Sequence, residues 1–102
     1  MPAKMKETEK KVIQWAKDKG IIFDGNQFTQ HNKLLEEVRE LTEAVFIKKD
    51  LKEILLEAGD VIVVLTNLLA IFDLSITDAY EAAYDKIKDR TGITENGTFI
   101  KN

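Results

Sequence analysis

The stretch from Val61 to Phe72 most constrains this chain. It is apolar at every position except Thr66 and Asn67. At about 3.6 residues per turn, such a run is apolar around most of its circumference. A helix of that kind cannot stand on a surface; other helices must surround it. Twelve residues are too few to span a bilayer, so the run reads as a buried core helix. The proline count is one, at Pro2. Beta-branched runs bounded by turn signals are absent until the tail. The expectation is an all-α fold.

Four helices can be placed around that run. The first covers about Lys4 to Lys19, with Val12, Ile13, Trp15 and Ala16 as its apolar stripe and Gly20 as its stop. Ile21 to Phe28 contains Gly25 and Asn26 and reads as a loop. The second helix starts near Thr29, a good N-cap, and runs to about Lys48, with Leu34, Val38, Leu41 and Val45 as its stripe. Asp50 caps the third helix, with Glu53 three residues on in a capping-box-like start; this helix ends near Phe72. Ser75 opens the fourth, which stops before Gly92. The tail carries Asn96-Gly97, a turn signal, and is expected to be a short hairpin or an extended arm. With 102 residues and no repeat, the chain is expected to be one domain.

Composition narrows the chemistry. The net charge of −3 argues against duplex nucleic acid as the main partner. No cysteine is present, which leaves out disulfides and thiolate metal sites. A metal would need oxygen ligands, alone or with the single His31. His31, in the first turn of its helix, is expected at the surface. The polar N-terminus has no signal-peptide character, so a cytosolic location is expected, with no membrane partner.

The acids are placed unusually. Glu36, Glu37, Glu40 and Glu43 lie on the second helix, and Glu53, Glu57 and Asp60 on the third. At about 100° per residue, Glu37 falls on the edge of the buried face and Glu40 follows it one turn along. Glu36 and Glu43 point further toward solvent. Asp60 directly precedes the apolar run and so stands at the mouth of the core. A short linker makes the two helices antiparallel neighbours. That pairing brings Glu37 and Glu40 opposite Glu57 and Asp60. Four carboxylates in a partly dry site repel unless a cation sits among them. Oxygen-only ligands select a hard ion, Mg²⁺ or Mn²⁺. The bland alternative is a solvated charged face, since Glu is a strong helix former. An ordinary face would interleave more lysines, and between Glu36 and Glu43 only Arg39 is basic.

The pattern Glu36-Glu37-Val38-Arg39-Glu40, then sixteen residues, then Glu57-Ala58-Gly59-Asp60 resembles the EExxE…ExxD signature of the all-alpha nucleotide pyrophosphohydrolases, and within them the short MazG-like proteins. Gln30-x-x-Lys33 resembles the family's entry into its second helix, and Lys86-x-x-x-Arg90 before Gly92 its basic end. One departure is Asp85, where the family's close members have Asn. The resemblance implies a four-helix bundle working as a dimer or tetramer. It implies cleavage of a nucleoside triphosphate to monophosphate and pyrophosphate, with Mg²⁺ on Glu37, Glu40, Glu57 and Asp60. Catalytic roles then fall to Glu36 and Glu37, and substrate contacts to Gln30, Lys33, Asp85, Lys86, Arg90 and Trp15. The residues themselves leave alternatives open. Lys86 and Arg90 are also what a helix C-terminus favours. Trp15, among Val12, Ile13 and Ala16, reads as core first and as a base-stacking residue second. Asn67 lies on the same helical face as Asp60 and would hydrogen-bond a base or a partner helix. A non-catalytic helical interaction module is the competing function. A di-iron bundle is discounted, because it wants Glu-x-x-His pairs and none occurs here.

Overall fold

The computed structural model describes residues 2–24 and 26–102, with the side chains of residues 2–5 and 24 left aside. Its elements are α1 (Pro2–Asp18), α2 (Ile21–Asp24), α3 (Gln27–Glu43) continued by a π-helical segment (Ala44–Lys48), α4 (Leu51–Ile71), α5 (Ile76–Ile87), β1 (Gly92–Glu95) and β2 (Thr98–Lys101). The four long helices are those expected, and the tail is a hairpin.

Local chemistry sets the boundaries. Gly20, at φ 78°, ends α1 in the left-handed conformation that costs glycine no Cβ clash. Ile21–Asp24, expected as a loop, coils into one helical turn. The expected Gly25 turn lies outside the described residues. The cap of α3 is Asn26, not Thr29. The Asn26 side chain accepts from the Phe28 and Thr29 amides, and the Thr29 hydroxyl closes the box from the third position. Two residues with cap chemistry stand three apart, and the earlier one takes the helix start. Asp50 caps α4 by accepting from the Lys52 amide at 2.9 Å. Glu53 does not complete a box there; it turns to Lys48 at 3.8 Å. Ser75 caps α5 by accepting from the Thr77 and Asp78 amides.

Among the described residues, α3 and α4 form the most extensive helix pair, and α1 packs on α4 and α5. The core is small. Ala16, Ala44 and Val64 are its buried apolar members, joined by Thr66, Asn67, Thr77 and two glutamates, Glu9 and Glu37. The stripe of α3 is only partly covered: Val38 and Val45 remain 42% and 37% exposed. The apolar residues of α4 are not surrounded within one chain either. Leu51, Leu55, Leu56 and Ile62 all stay more than half exposed. Counted whole, α4 is long and apolar enough to cross a bilayer by length and composition. Glu57 and Asp60 halfway along it, and the helices packed on either side, read it as the central helix of a bundle. The radius of gyration is 15.8 Å, against about 13 Å for a compact domain of this length.

Candidate active site

The antiparallel α3–α4 pair brings three acids together. Glu37, Glu40 and Glu57 each offer a carboxylate oxygen, all within 4.8 Å of one another. Glu37 is buried, and Glu40 and Glu57 are half-buried. Glu37 comes inward because it sits beside the α3 stripe, as its helical angle requires. Its Oε2 and the Oε2 of Glu57 are buried without a hydrogen-bond partner among the described residues. Buried orphan oxygens are rare in folded proteins.

Among the described residues, Lys33, one turn before Glu37, is the only cation paired with it, at 3.3 Å, and it also reaches Glu36 at 3.6 Å. The Glu37 carboxylate holds the Lys33 ammonium above its usual value. The glutamate gains less from the pair. Burial pushes the Glu37 carboxyl above the ordinary range, and Glu40 beside it adds to the push that Lys33 opposes. The cluster thus carries more negative charge than one lysine offsets. Three oxygen donors with two unspent buried oxygens fit a hard divalent cation.

Asp60 stands apart from this trio. It is exposed, one turn beyond Glu57, and lines a groove of about 370 Å³ with Thr8, Lys11, Val12, Trp15 and Val63. Trp15 is 48% exposed as a wall of that groove, which corrects the expectation that it belongs to the core. Its neighbour Ala16 takes the core position instead.

Glu36 is half exposed on Lys33. Gln30 is half-buried in the first turn of α3, and His31 is exposed. Glu43 pairs with Arg39 at 3.6 Å. Asp85 pairs with Lys88 at 3.3 Å, and Lys86 and Arg90 are exposed. Among the described residues α5 touches α1 and α4 but not α3. One chain therefore does not bring Lys86 and Arg90 onto the α3 acids. Asn67 is 2% exposed, and its Oδ1 has no partner.

Residues 27–92 match the MazG nucleotide pyrophosphohydrolase domain. This chain belongs to the MazG family. The match opens at the first residue of α3 and closes at the first residue of β1, so it holds all three clustered acids and Asp60. It supports nucleotide pyrophosphohydrolase activity, a hydrolase chemistry, and a carboxylate metal site of the MazG kind. No curated protein and no solved structure matches the chain.

Sequence reasoning missed one polar site. Glu9 on α1 is buried at the start of α5. It accepts from the Ser75 hydroxyl at 2.6 and 2.8 Å, the Thr77 hydroxyl at 2.9 Å and the Ile76 amide at 3.1 Å. Burial pushes its carboxyl up, but these donors outweigh burial and hold it below the ordinary range.

Proposed function

We propose that this protein hydrolyses nucleoside triphosphates to the monophosphate and pyrophosphate, with Mg²⁺ or Mn²⁺ held by Glu37, Glu40 and Glu57 and joined by Asp60 from the groove side. The observation that carries the reading is the convergence of three carboxylates from two helices, with two buried oxygens left unpaired. A divalent cation held by these carboxylates would supply charge to offset the phosphates and a more acidic water as nucleophile.

The protein's own residues supply the rest. Glu36, exposed beside the cluster, is our candidate to take the proton of the attacking water on its carboxylate. Lys33, already at the rim of the cluster on Glu36 and Glu37, is our candidate to donate from its ammonium to a phosphate oxygen. Trp15 offers half of its ring to the groove as a stacking surface for a base. Asp60 at the groove is one turn along α4 from Glu57, so a nucleotide lying there would direct its phosphate end toward the acids. Gln30 and Asp85 are assigned to substrate contact on the family pattern alone.

We further propose a homodimer or a dimer of dimers. Leu51, Leu55, Leu56 and Ile62 of α4 all stay more than half exposed. Monomers rarely carry such a patch, and a two-fold axis covers it on both copies at once. The second copy would also bring its Lys86 and Arg90 to the phosphates. An acidic protein with this substrate belongs in the cytoplasm, with neither membrane nor nucleic acid as partner.

The test is a panel of canonical and modified nucleoside triphosphates with Mg²⁺, scored for pyrophosphate against orthophosphate. Pyrophosphate release is expected. Release of orthophosphate and diphosphate would place the scissile bond elsewhere.

A further inference from the structure

The hairpin is a complete two-stranded ladder that packs on no other element among the described residues. Ile93 pairs with Ile100 and Thr94 with Phe99 across an antiparallel ladder. Asn96 and Gly97 turn the chain with φ 51° and 79°, the signature of a type I′ turn. Asn102 closes the base, donating from its backbone and side-chain nitrogens to the Thr91 carbonyl and hydroxyl at 2.9 Å each. Yet neither strand packs on any helix among the described residues. The tail does not fold back as a cover for α4. Two-stranded hairpins are at best marginally stable alone in water, so one built this completely calls for a surface to rest on.

The two faces of the hairpin differ. On one, the Phe99 ring lies over Gly92, where any Cβ would collide with the ring and with the Ile100 carbonyl. Phe99 itself stays 48% exposed there, with only Gly92 beneath it. The other face carries Ile93, Ile100, Glu95 and Thr98. Ile93 is 60% and Ile100 48% exposed, side by side and uncovered.

A matching surface exists where α3 passes through the π segment into α4. Phe46 and Ile47 of the π segment and Leu51 and Leu55 of α4 are 71–83% exposed. The exposed Lys49 and Lys52 adjoin them. An apolar pair with one acid thus faces an apolar patch with a basic rim. We propose that the hairpin is an exchanged arm, whose Ile93–Ile100 face packs on the Phe46/Ile47/Leu51/Leu55 surface of a second copy. The occupant is a second copy because each chain carries both halves, and a two-fold exchange covers both twice. The high radius of gyration fits a chain shaped to be completed by its mate. The arm lies beyond the family match, which ends at Gly92. It rests on the dimer reading above but not on the metal or substrate chemistry.

Because the chain has no cysteine, engineered thiols report contacts cleanly. I100C chains are mixed with size-tagged L51C chains under mild oxidation, beside a control mixture of I100C with tagged K17C. Sedimentation velocity then compares the wild type with I93S/I100S, with circular dichroism on both. A mixed disulfide between differently tagged chains, several-fold above the control, is expected. So is a halved mass, or an association at least tenfold weaker, for a helical I93S/I100S. A wild-type monomer would overturn both the dimer and the arm. An oligomer of unchanged mass in I93S/I100S, with no disulfide above control, would overturn the arm alone.

Discussion

Among the described residues two glutamates are buried, Glu9 and Glu37, and they have opposite fates. At the α1–α5 junction, Glu9 is surrounded by donors: two hydroxyls and the amide of a helix start. In the α3–α4 cleft, Glu37 faces two other carboxylates and keeps one oxygen unpaired. Burial raises both carboxyls, but only at Glu9 do hydrogen bonds overcome it. The first carboxylate is a fastener between helices; the second is an open ligand. Burial of an acid alone says nothing of its role, whereas the count of its donors does.

The sharpest way to break this contrast is to neutralise each site. Glu40→Gln and Asp60→Asn should each lower turnover at least about 100-fold, as losses around a metal site do, while the helical content stays. Wild-type activity should vanish in EDTA and return with Mg²⁺ or Mn²⁺. Full activity in chelator would end the metal reading. Thermal shift adds a stability readout: Mg²⁺ should raise the Tm of the wild type but not of Glu40→Gln.

Glu9→Ala should do the reverse. Losing hydrogen bonds to a charged acceptor costs about 1.5–3 kcal/mol each. A Tm drop of more than about 6 °C is then expected, with the Mg²⁺-induced shift intact. A Glu9→Ala protein as stable as the wild type would make this acid no fastener. Smaller still, Ser75→Ala removes the cap and one donor to Glu9, for about 1–2 kcal/mol; denaturant unfolding reads it. The smallest effect lies in acid. The Glu9 carboxyl sits below its ordinary 4.5 when folded, so its stabilisation is complete above that pH. It is lost as pH falls through the lower folded value. Unfolding followed from pH 6 to 3 should show an acid limb that is shallower in Glu9→Gln.

Much of the architecture was readable from spacing. Glu37, Glu40 and Glu57 meet because two stripes and one short linker leave little choice of pairing. Asp50 and Ser75 cap where their side chains predict. Other features depend on sequence-distant neighbours. Glu9 lies in a run of lysines and glutamates that reads as solvated, and its donors are 66 to 68 residues away. Trp15 shares its stripe with Ala16, and the small side chain takes the interior. Asp60 is one turn from Glu57, yet it opens onto a groove built with α1, which no α3–α4 pattern contains. The exposure of α4 follows from the same limit: a sequence shows which side chains want cover, not which chain provides it.

The π-helical segment after α3 has a consequence of its own. The Lys49 amide reaches back five residues to the Ala44 carbonyl, at 2.8 Å. A regular helix would span that gap with one residue fewer. Ala44–Lys48 therefore stores an insertion in place. Removing one residue here should relax the segment into ordinary helix, leaving Glu37 and Glu40 in register with Glu57. The same deletion four residues after Glu36 would turn every later side chain of α3 by about 100°. Tolerance of length change is thus concentrated at the end of this helix farthest from its N-cap, and in lineages descended from such a chain that is where gaps would collect.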